Sequence, residues 1–365
     1  MKITAVILAA GEGTRMKSDL PKVLHTVCGK PMIYYAIQAA KAVSTETPVV
    51  VIGHRAEAVC EFLGETVRCV VQDPQQGTGH AVQQVEATLK GQTDLILVTY
   101  ADMPLLRVET LKRLTETQRA NPGPLTMLTV SADDPRGFGR VVRGAEGRVQ
   151  AIVEEAVATP EQLKIKELNV GAYCFSAGWL WEALHRLPLS KKGEYYLTDT
   201  VELAVEAGLP VQAIFTDDPV EPIGINTRVH LAEAERAMRQ RINAAHMLAS
   251  VTMIDPQTTY VEAGVTIGRD TVLWPNSYFQ GGTRIGENCE IGPDCIIRDS
   301  VIGNDCLVVA SVLEGALLED DVDVGPFAHL RKGAHLCKGV HMGNFERSEE
   351  RRVGKECRSR WSPYH

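Results

Sequence analysis

The chain begins MKITAVILAAGEGTRMKSDLPK (residues 1–22), and this stretch decides the fold of the first half. Its apolar run ITAVILAA is β-branched at first and then small, which is typical of a buried strand in a parallel sheet. Gly11 and Gly13 follow at once and allow the backbone to turn sharply and approach a ligand. Arg15 and Lys22 place cations on the same loop. This combination indicates a site that binds a polyphosphate.

Two common phosphate motifs do not fit this loop. A dinucleotide fingerprint would need glycine at position 16, where the chain has Met16, and the spacing of a Walker A loop is absent. An ordinary strand-to-helix turn with exposed basic residues remains the structural alternative. The sequence alone therefore indicates phosphate binding without either motif.

Composition narrows the class of protein. The 365 residues favour two domains, and 44% hydrophobic with 23% charged residues is ordinary for a globular protein. No apolar run approaches the ~18 residues of a membrane span, and the N-terminus lacks a signal-peptide pattern. The nine cysteines include no C-x-x-C pair. We therefore expect a cytoplasmic protein without a membrane partner, and neither zinc nor disulfides are implied.

The net charge of −8 argues against general nucleic-acid binding. A ligand that carries phosphates must then be met by locally placed cations. The first loop supplies them.

The segment LAAGEGTRMKSDLPK resembles the signature loop of the sugar-phosphate nucleotidylyltransferases, L-x-x-G-x-G-T-R-[ML]-x(n)-P-K. The following KVLHTVCGKPM resembles the bacterial branch that is bifunctional, with N-acetylglucosamine-1-phosphate uridylyltransferase and glucosamine-1-phosphate acetyltransferase activities. The resemblance implies that Arg15 and Lys22 stabilise charge during catalysis. It also implies substrate contacts by the loop residues Leu8, Ala9, Ala10, Gly11 and Lys22.

Strand and helix patterns alternate over the first domain, which predicts a mainly parallel α/β sheet covered on both faces. The predicted strands are 48–53, 67–71, 95–99, 125–130 and 170–175. The predicted helices are 31–41, 78–89, 109–118 and 179–187. Ligands of such sheets lie at the carboxyl ends of the strands, where the first loop also lies.

A second loop, VVQDPQQGTGHAV, follows one of these strands. An amide such as that of Gln72 has a donor and an acceptor and suits the edge of a base. Gly77 permits close approach, and Thr78 can cap the next helix, so a capped structural loop is the alternative. The resemblance assigns Gln72, Gly77 and Thr78 to the uracil.

Two oxygen ligands for Mg²⁺ are predicted at strand ends. Asp102 follows a buried strand in the segment LVTYADMPL, and Asn226 ends the segment EPIGIN. Each has a structural alternative as a helix cap. The resemblance makes Asp102 and Asn226 the metal ligands and substrate contacts, together with Tyr100 and Ala101. Ala101 stands where the family has glycine, so we expect crowding and weaker nucleotide binding.

The resemblance also implies a set of residues that bind the amino sugar. They are Gly139, Glu154, Asn169, Tyr196 and Thr198. Neutral or singly charged hydrogen-bonding groups suit sugar hydroxyls and an acetamide. Taken singly, each residue is better explained by a structural role, whereas the spacing of the whole set favours sugar binding. Glu155 is an alternative to Glu154, because the register within IVEE rests on resemblance alone.

A six-residue period begins after Tyr260. One run contains Ile267, Leu273, Phe279, Ile285, Ile291 and Ile297, and a second contains Val312, Leu318, Val324, Leu330, Leu336 and Met342. A hexapeptide period predicts a parallel β-helix with three short strands per coil. Small residues four positions after each repeat position predict tight corners, so Cys289 and Cys295 are interpreted as corner fillers.

The resemblance implies that the β-helix is left-handed, forms a homotrimer and carries the acetyltransferase. Only Arg331 matches a residue of that second substrate site, so we expect the acetyltransferase to be absent. Resemblance ends near residues 341–346. The remaining RSEERRVGKECRSRWSPYH has no repeat, and we expect it to be a translated sequencing adapter that follows a truncated gene record.

The expected organisation is therefore a nucleotidyltransferase domain (1–226), a linker helix (227–250), a partial β-helix (251–346) and a non-native tail (347–365). The predicted reaction joins UTP to N-acetylglucosamine 1-phosphate with Mg²⁺ as cofactor, giving UDP-N-acetylglucosamine and pyrophosphate. Two rivals remain: a transferase for another base or sugar, and a non-catalytic scaffold or sensor with the same folds.

Overall fold

The computed structural model describes residues 1–216 and 218–343, with the backbone of two short strands beyond them, Arg347–Ser348 and Arg352–Val353. None of the helices in these ranges is long and apolar enough to cross a membrane. Most of the predicted tail, and with it the adapter interpretation, lies outside the described residues.

The chain forms two compact units. The first contains residues 1–27 and 31–234, and the second contains residues 28–30 and 235–365. The boundaries predicted at 226 and 250 for independent domains stay a prediction.

A single mixed sheet forms the centre of the first unit. Its strands are β1 (Ile3–Ala9), β2 (Val49–Ile52), β3 (Arg68–Val71), β4 (Leu95–Tyr100), β5 (Leu125–Ser131), β6 (Arg140–Arg143), β7 (Val149–Val153), β8 (Glu167–Ser176) and β9 (Val211–Phe215). The main order is β9-β5-β8-β4-β1-β2-β3, with β6 joining β8 to β7. Strand β8 runs antiparallel to both β4 and β5, which the alternating pattern did not predict.

Helices of the first unit follow most of these strands. Their bounds are α1 (Met32–Lys41), α2 (Ala56–Leu63), α3 (Gly77–Gln83), α4 (Glu86–Leu89), α5 (Val108–Ala120), α6 (Ala177–Leu184) and α7 (Asp199–Glu206), and α8 (Arg228–Leu248) follows the sheet. The helix predicted over 78–89 is two helices, because the regular turn is interrupted at Gln84 and Val85. Apolar side chains of α3, α6 and α7 pack against the strands in one core.

Four neighbouring parallel strands end at one edge of the sheet. Ala9 pairs with Ile52, Ile52 with Val71, and Leu8 with Tyr100. The loops that leave these residues contain the glycine loop, Gln72 and Asp102. The strand register therefore brings together the loops that the sequence predicted to bind nucleotide and metal.

The second unit contains a parallel β-helix with three six-stranded faces. The first face contains Thr252–Met253, Val272–Leu273, Glu290–Ile291, Leu307–Val308, Asp323–Val324 and His341–Met342. The second contains Tyr260–Val261, Tyr278–Gln280, Ile296–Arg298, Val312–Glu314, His329–Leu330 and Arg347–Ser348. The third contains Thr266–Ile267, Arg284–Ile285, Val301–Ile302, Leu317–Leu318, His335–Leu336 and Arg352–Val353.

The inward positions confirm the hexapeptide pattern with one correction. Leu313 is fully buried, whereas Val312, which was predicted to point inward, is only partly buried. The phase slip is spread over short coils, with inward residues Ile302, Val308 and Leu313 five or six positions apart. Cys289 and Cys295 are buried in the core of this unit. The predicted fold class, an α/β domain followed by a parallel β-helix, is confirmed.

Candidate active site

A cavity of about 590 Å³ lies at the carboxyl edge of the sheet in the first unit. Eleven of the predicted substrate and catalytic residues line it: Leu8, Ala9, Ala10, Gly11, Lys22, Gln72, Gly77, Thr78, Tyr100, Asp102 and Tyr196. The volume is in the range of small-molecule sites. Loops that are far apart in the sequence thus line the same cavity.

Five further residues line the cavity that sequence reasoning missed: Glu12, Val23, Gln75, Ala81 and Glu194. Gln75 lies in the same loop as Gln72, so its amide could have been predicted from the sequence to line the site. No pattern separates Glu12 or Glu194 from ordinary solvated charges on a loop.

The other predicted site residues do not line the cavity. Arg15 is exposed on the short helical turn Thr14–Met16, and Ala101 is completely buried. Arg331 belongs to the second unit. The remaining ones are Gly139, Glu154, Asn169, Thr198 and Asn226, which lie in the first unit outside the cavity lining.

The Lys22 ammonium lies between the two predicted metal ligands. Its Nζ donates to Asp102 Oδ2 at 2.5 Å and to Asn226 Oδ1 at 2.7 Å. Only 11% of the Lys22 side chain is exposed. Gly13 allows this placement, because a Cβ there would lie 2.5 Å from the Lys22 Cβ. Glycine at position 13 is therefore needed to make room for the Lys22 side chain as well as for a ligand.

Backbone hydrogen bonds bring Asp102 and Asn226 together. Ile225 N donates to Asp102 O at 2.9 Å, and Ala101 N donates to Leu8 O at 3.0 Å. These bonds attach the segment before α8 to the end of β4, and the end of β4 to β1. Residues more than a hundred positions apart consequently present their oxygens to one cation.

The capping alternatives for both oxygens are not observed. The next helix after Asp102 begins at Val108, with Arg107 before it. Ahead of α8, Thr227 Oγ1 accepts from His230 N at 3.2 Å and thereby caps the helix. The side-chain oxygens of Asp102 and Asn226 are turned instead toward Lys22. One carboxylate and one amide oxygen around a cation position fit a hard divalent metal, for which Lys22 Nζ is a stand-in.

The base loop is fixed by its own contacts. Gln72 Nε2 donates to Gly77 O at 2.9 Å, and Thr78 Oγ1 accepts from Leu197 N at 3.0 Å. Thr78 lies inside the first turn of α3 and does not cap it, since the helix begins one residue earlier. Gly77 has a φ of +92°, and a Cβ there would lie 2.6 Å from Tyr195 O. Only glycine fits this turn without strain.

The predicted sugar residues form two small groups. Thr198 Oγ1 donates to Glu154 Oε1 at 3.2 Å, and that carboxylate is close to Gly139. Asn169 Nδ2 donates to Tyr173 OH at 2.6 Å. Glu155, the alternative to Glu154, is instead paired with Arg140 at 2.8 Å. The two glutamates therefore have different partners, which the sequence could not distinguish.

Glu154 and the nearby Asp199 both have raised pKa values. Burial raises the pKa of Glu154, and the Thr198 hydroxyl partly opposes that rise. Burial, followed by the nearby Glu202 and Glu154, raises the pKa of Asp199 to about 6. Both carboxyls thus ionise less readily here than in water.

The free energy of unfolding of the Asp199→Asn variant, taken relative to that of the wild type, is expected to be higher at pH 8 than at pH 5. A carboxyl whose folded pKa exceeds its unfolded value favours folding while it is protonated, so the wild type loses that contribution as pH rises through about 6. Because Asp199 is only half-buried, screening limits the gain to about 1 kcal/mol. Denaturant unfolding at both pH values measures it, with Glu206→Gln as the exposed control on α7. Equal differences at the two pH values would contradict the assignment.

The Ala101→Gly variant is expected to leave the KM for nucleotide within about twofold, because Ala101 is completely buried and does not line the cavity. The earlier expectation of crowding placed the methyl group of Ala101 against the nucleotide, and the cavity lining does not include it. Loss of one buried methyl should lower the free energy of unfolding by about 1 kcal/mol. Steady-state kinetics and denaturant unfolding check the two halves. A much lower KM for the variant would restore the crowding hypothesis.

Comparisons with known proteins relate the chain to characterised families. The model of the MobA-like NTP transferase domain matches residues 5–207, and the bacterial transferase hexapeptide model, with six repeats, matches residues 264–299. A bifunctional protein GlmU of Syntrophomonas wolfei is 43% identical over 356 residues, covering 97% of this chain and 79% of that protein. A bifunctional protein GlmU of Shouchella clausii is 43% identical over 351 residues, covering 96% and 77%.

Two solved structures share the fold of the first unit. One is a candidate glucose-1-phosphate thymidylyltransferase of Bacillus anthracis, with a TM-score of 0.54, 23% identity and coverage of 64% of this chain and 94% of that one. The other is a UDP-glucose pyrophosphorylase, with a TM-score of 0.54, 19% identity and coverage of 66% and 100%. At this level of identity they establish the fold only.

The resemblance predicted from the glycine loop is confirmed, as is the left-handed, hexapeptide type of the β-helix. Nucleotidyltransferases of this family generally use a divalent metal, which suits the oxygens around Lys22. With a matching NTP transferase domain and relatives 43% identical along nearly its whole length, the chain belongs to the family of bifunctional GlmU proteins.

Proposed function

We propose that the first unit transfers the uridylyl group of UTP to N-acetylglucosamine 1-phosphate, giving UDP-N-acetylglucosamine and pyrophosphate. The observation that carries the proposal is the position of Lys22, whose ammonium lies between Asp102 and Asn226 at the wall of the nucleotide cavity. A cation held between two oxygens beside a glycine loop is suited to phosphate chemistry. Membership of the GlmU family supplies the class of reaction.

The reaction needs no covalent nucleophile from the protein. The sugar phosphate attacks the α-phosphorus of UTP, and a P–O bond to pyrophosphate breaks as the new P–O bond forms. The chain positions the two reactants and stabilises charge on the phosphate oxygens. Lys22 provides a cation at the wall, and the loop backbone at Gly11 leaves open space for the phosphates. Arg15 is exposed on the same loop and does not line the cavity, and its role in stabilising charge stays a prediction.

Asp102 and Asn226 would hold Mg²⁺. Bound there, the ion would neutralise charge on the phosphates of the two substrates. The two oxygens at present hold Lys22, so binding of metal requires the lysine to move. A lysine that leaves the metal ligands becomes available to the phosphates of the nucleotide.

Base selection and sugar selection are assigned to different groups of residues. Gln72, Gly77 and Thr78 form the base loop, and the rigid turn at Gly77 fixes its shape. Glu154 and Thr198, with Gly139, Asn169 and Tyr196, are assigned to the amino sugar. Tyr196 is the member of this set that lines the cavity.

A substrate panel tests this assignment. Pyrophosphate release is measured with UTP, dTTP, CTP, GTP and ATP, each with N-acetylglucosamine 1-phosphate, glucosamine 1-phosphate and glucose 1-phosphate. UTP with N-acetylglucosamine 1-phosphate is expected to give the highest kcat/KM. A preference for another base or sugar would replace the substrate assignment while keeping the reaction class. Release with no pair, from a chain with intact far-ultraviolet circular dichroism, would favour the scaffold alternative.

The second activity, the homotrimer and the cytoplasmic location remain predictions. Arg331 is a contact of the acetyltransferase substrate only by resemblance. Thiol release from acetyl-CoA with glucosamine 1-phosphate measures that activity. Light scattering measures the assembly.

A further inference from the structure

Three potential metal ligands converge on two successive coils of the β-helix. They are Glu319, His335 and Cys337, and the possible ligand atoms, one from each side chain, lie within 4.8 Å of one another. All three side chains are partly buried. Sequence reasoning considered only closely spaced cysteines, so this set was missed.

The coil register brings these residues together. Leu317 pairs with His335 and Leu318 with Leu336, and Glu319 N donates to Leu336 O at 2.9 Å. Leu318 and Leu336 point into the core. Because side chains alternate along a strand, His335, which precedes Leu336, points outward. Glu319 and Cys337 follow the two leucines on successive coils and lie beside it, with Cys337 also packed against the core.

The carboxylate is held in place before any ligand arrives. Glu319 Oε2 accepts from Lys338 N at 2.9 Å, and Oε1 lies 2.9 Å from His335 Nε2. A backbone N–H on one oxygen leaves the other directed at the imidazole. Support of this kind orients a ligand toward a metal.

We propose that Glu319, His335 and Cys337 form a zinc site with one open position. Thiolate, imidazole and carboxylate are the ligands that Zn²⁺ takes, and three protein ligands with one water complete a tetrahedron. Ligand atoms of such a site lie roughly 3.3–3.8 Å apart, as bond lengths of about 2.0–2.3 Å require. The separations between the atoms present, 4.8 Å or less, would shorten by at most about 1–1.5 Å to reach it. A bound ion would clamp two successive coils together.

The chain contains a matched pair that lacks the thiol. His329 Nε2 lies 3.2 Å from Glu314 Oε2 on another face of the same β-helix. If Glu319 and His335 were only an ion pair, the two faces would behave alike toward metals. Of these two pairs, in the part of the chain that the structure describes, only Glu319 and His335 have a thiol within ligand distance, which makes the proposal specific.

Titration of the full chain with cobalt(II) tests the proposal. Cobalt bound to a thiolate gives a near-ultraviolet charge-transfer band, whereas cobalt held by oxygens at Asp102 and Asn226 does not. We expect a band that saturates at one equivalent per chain and is displaced by Zn²⁺. Cys337→Ser should abolish it. Cys357→Ser, which removes a thiol near the C-terminus, and His329→Asn should leave it unchanged.

Several outcomes would overturn the site: no band in the wild type, a band that persists in Cys337→Ser, or one that vanishes in Cys357→Ser. If circular dichroism shows that Cys337→Ser does not fold, the Glu319→Gln variant provides the second test. That variant should weaken cobalt binding by ~10-fold or more, the scale at which outer-shell and ligand changes act. Unchanged affinity would also overturn the proposal.

Discussion

The Lys22→Ala variant is expected to lower turnover by ~10²-fold or more, the scale of losing one preorganised charge contact in an active site. The Lys22 side chain is only 11% exposed and lines the cavity, where water screens its charge little. No other lysine of the described residues lines the cavity. No neighbouring lysine of the cavity lining can therefore take over the role of Lys22.

A second measurement separates this role from a merely structural one. Lys22 Nζ occupies the position between Asp102 and Asn226, so its removal should strengthen binding of Mn²⁺ to the nucleotide-free chain while turnover falls. Mn²⁺ affinity is measured by electron paramagnetic resonance. Lys17→Ala, an exposed lysine on the same loop, is the control and should change neither quantity. Turnover near that of the wild type would refute the catalytic role.

The Asp102→Asn variant is expected to lower turnover by at least ~10²-fold, because it removes the only charged oxygen of the two proposed metal ligands. The amide keeps the shape of the carboxylate, and the backbone bond from Ile225 N to Asp102 O does not involve the side chain. Folding should therefore be largely retained. The measured quantities are turnover at saturating substrate and its dependence on metal concentration.

Mn²⁺ affinity distinguishes this variant from Lys22→Ala. Asp102→Asn should weaken metal binding, whereas Lys22→Ala should strengthen it, although both lower turnover. Asp19→Asn removes an exposed carboxylate from the same glycine loop and should leave both measurements unchanged. If Asp102→Asn bound Mn²⁺ as tightly as the wild type, the metal site would have to lie elsewhere.

Periodicity predicted the strands well but not their direction. The apolar pattern of β8 is that of a buried strand, and such a pattern is the same for parallel and antiparallel neighbours. Its antiparallel pairing with β4 and β5 depends on tertiary packing. The phase slip in the β-helix likewise depends on tertiary packing. Whether Val312 or Leu313 points inward is set by the corner before it, where the coil shortens.

The site could be predicted in part. The glycine loop, Gln72 and Asp102 all follow strands, so their common edge follows from the fold. That Asn226 joins Asp102 depends on a backbone bond between distant segments, and only the resemblance anticipated it. Capping propensity favoured Asn226 as a cap, but the adjacent Thr227 takes that role. Glu154 and Glu155 differ only in their partners, which no sequence pattern encodes.

Transfer of label from [α-³²P]UTP to the sugar phosphate is the most direct test of the uridylyltransferase reaction. The full chain is incubated with labelled UTP, N-acetylglucosamine 1-phosphate and Mg²⁺, and the products are separated by chromatography. We expect label in UDP-N-acetylglucosamine, with one pyrophosphate released per sugar nucleotide, and at least ~10²-fold slower formation of this product by Lys22→Ala and Asp102→Asn. Label that appears only in UMP, or no product from a folded chain, would contradict it.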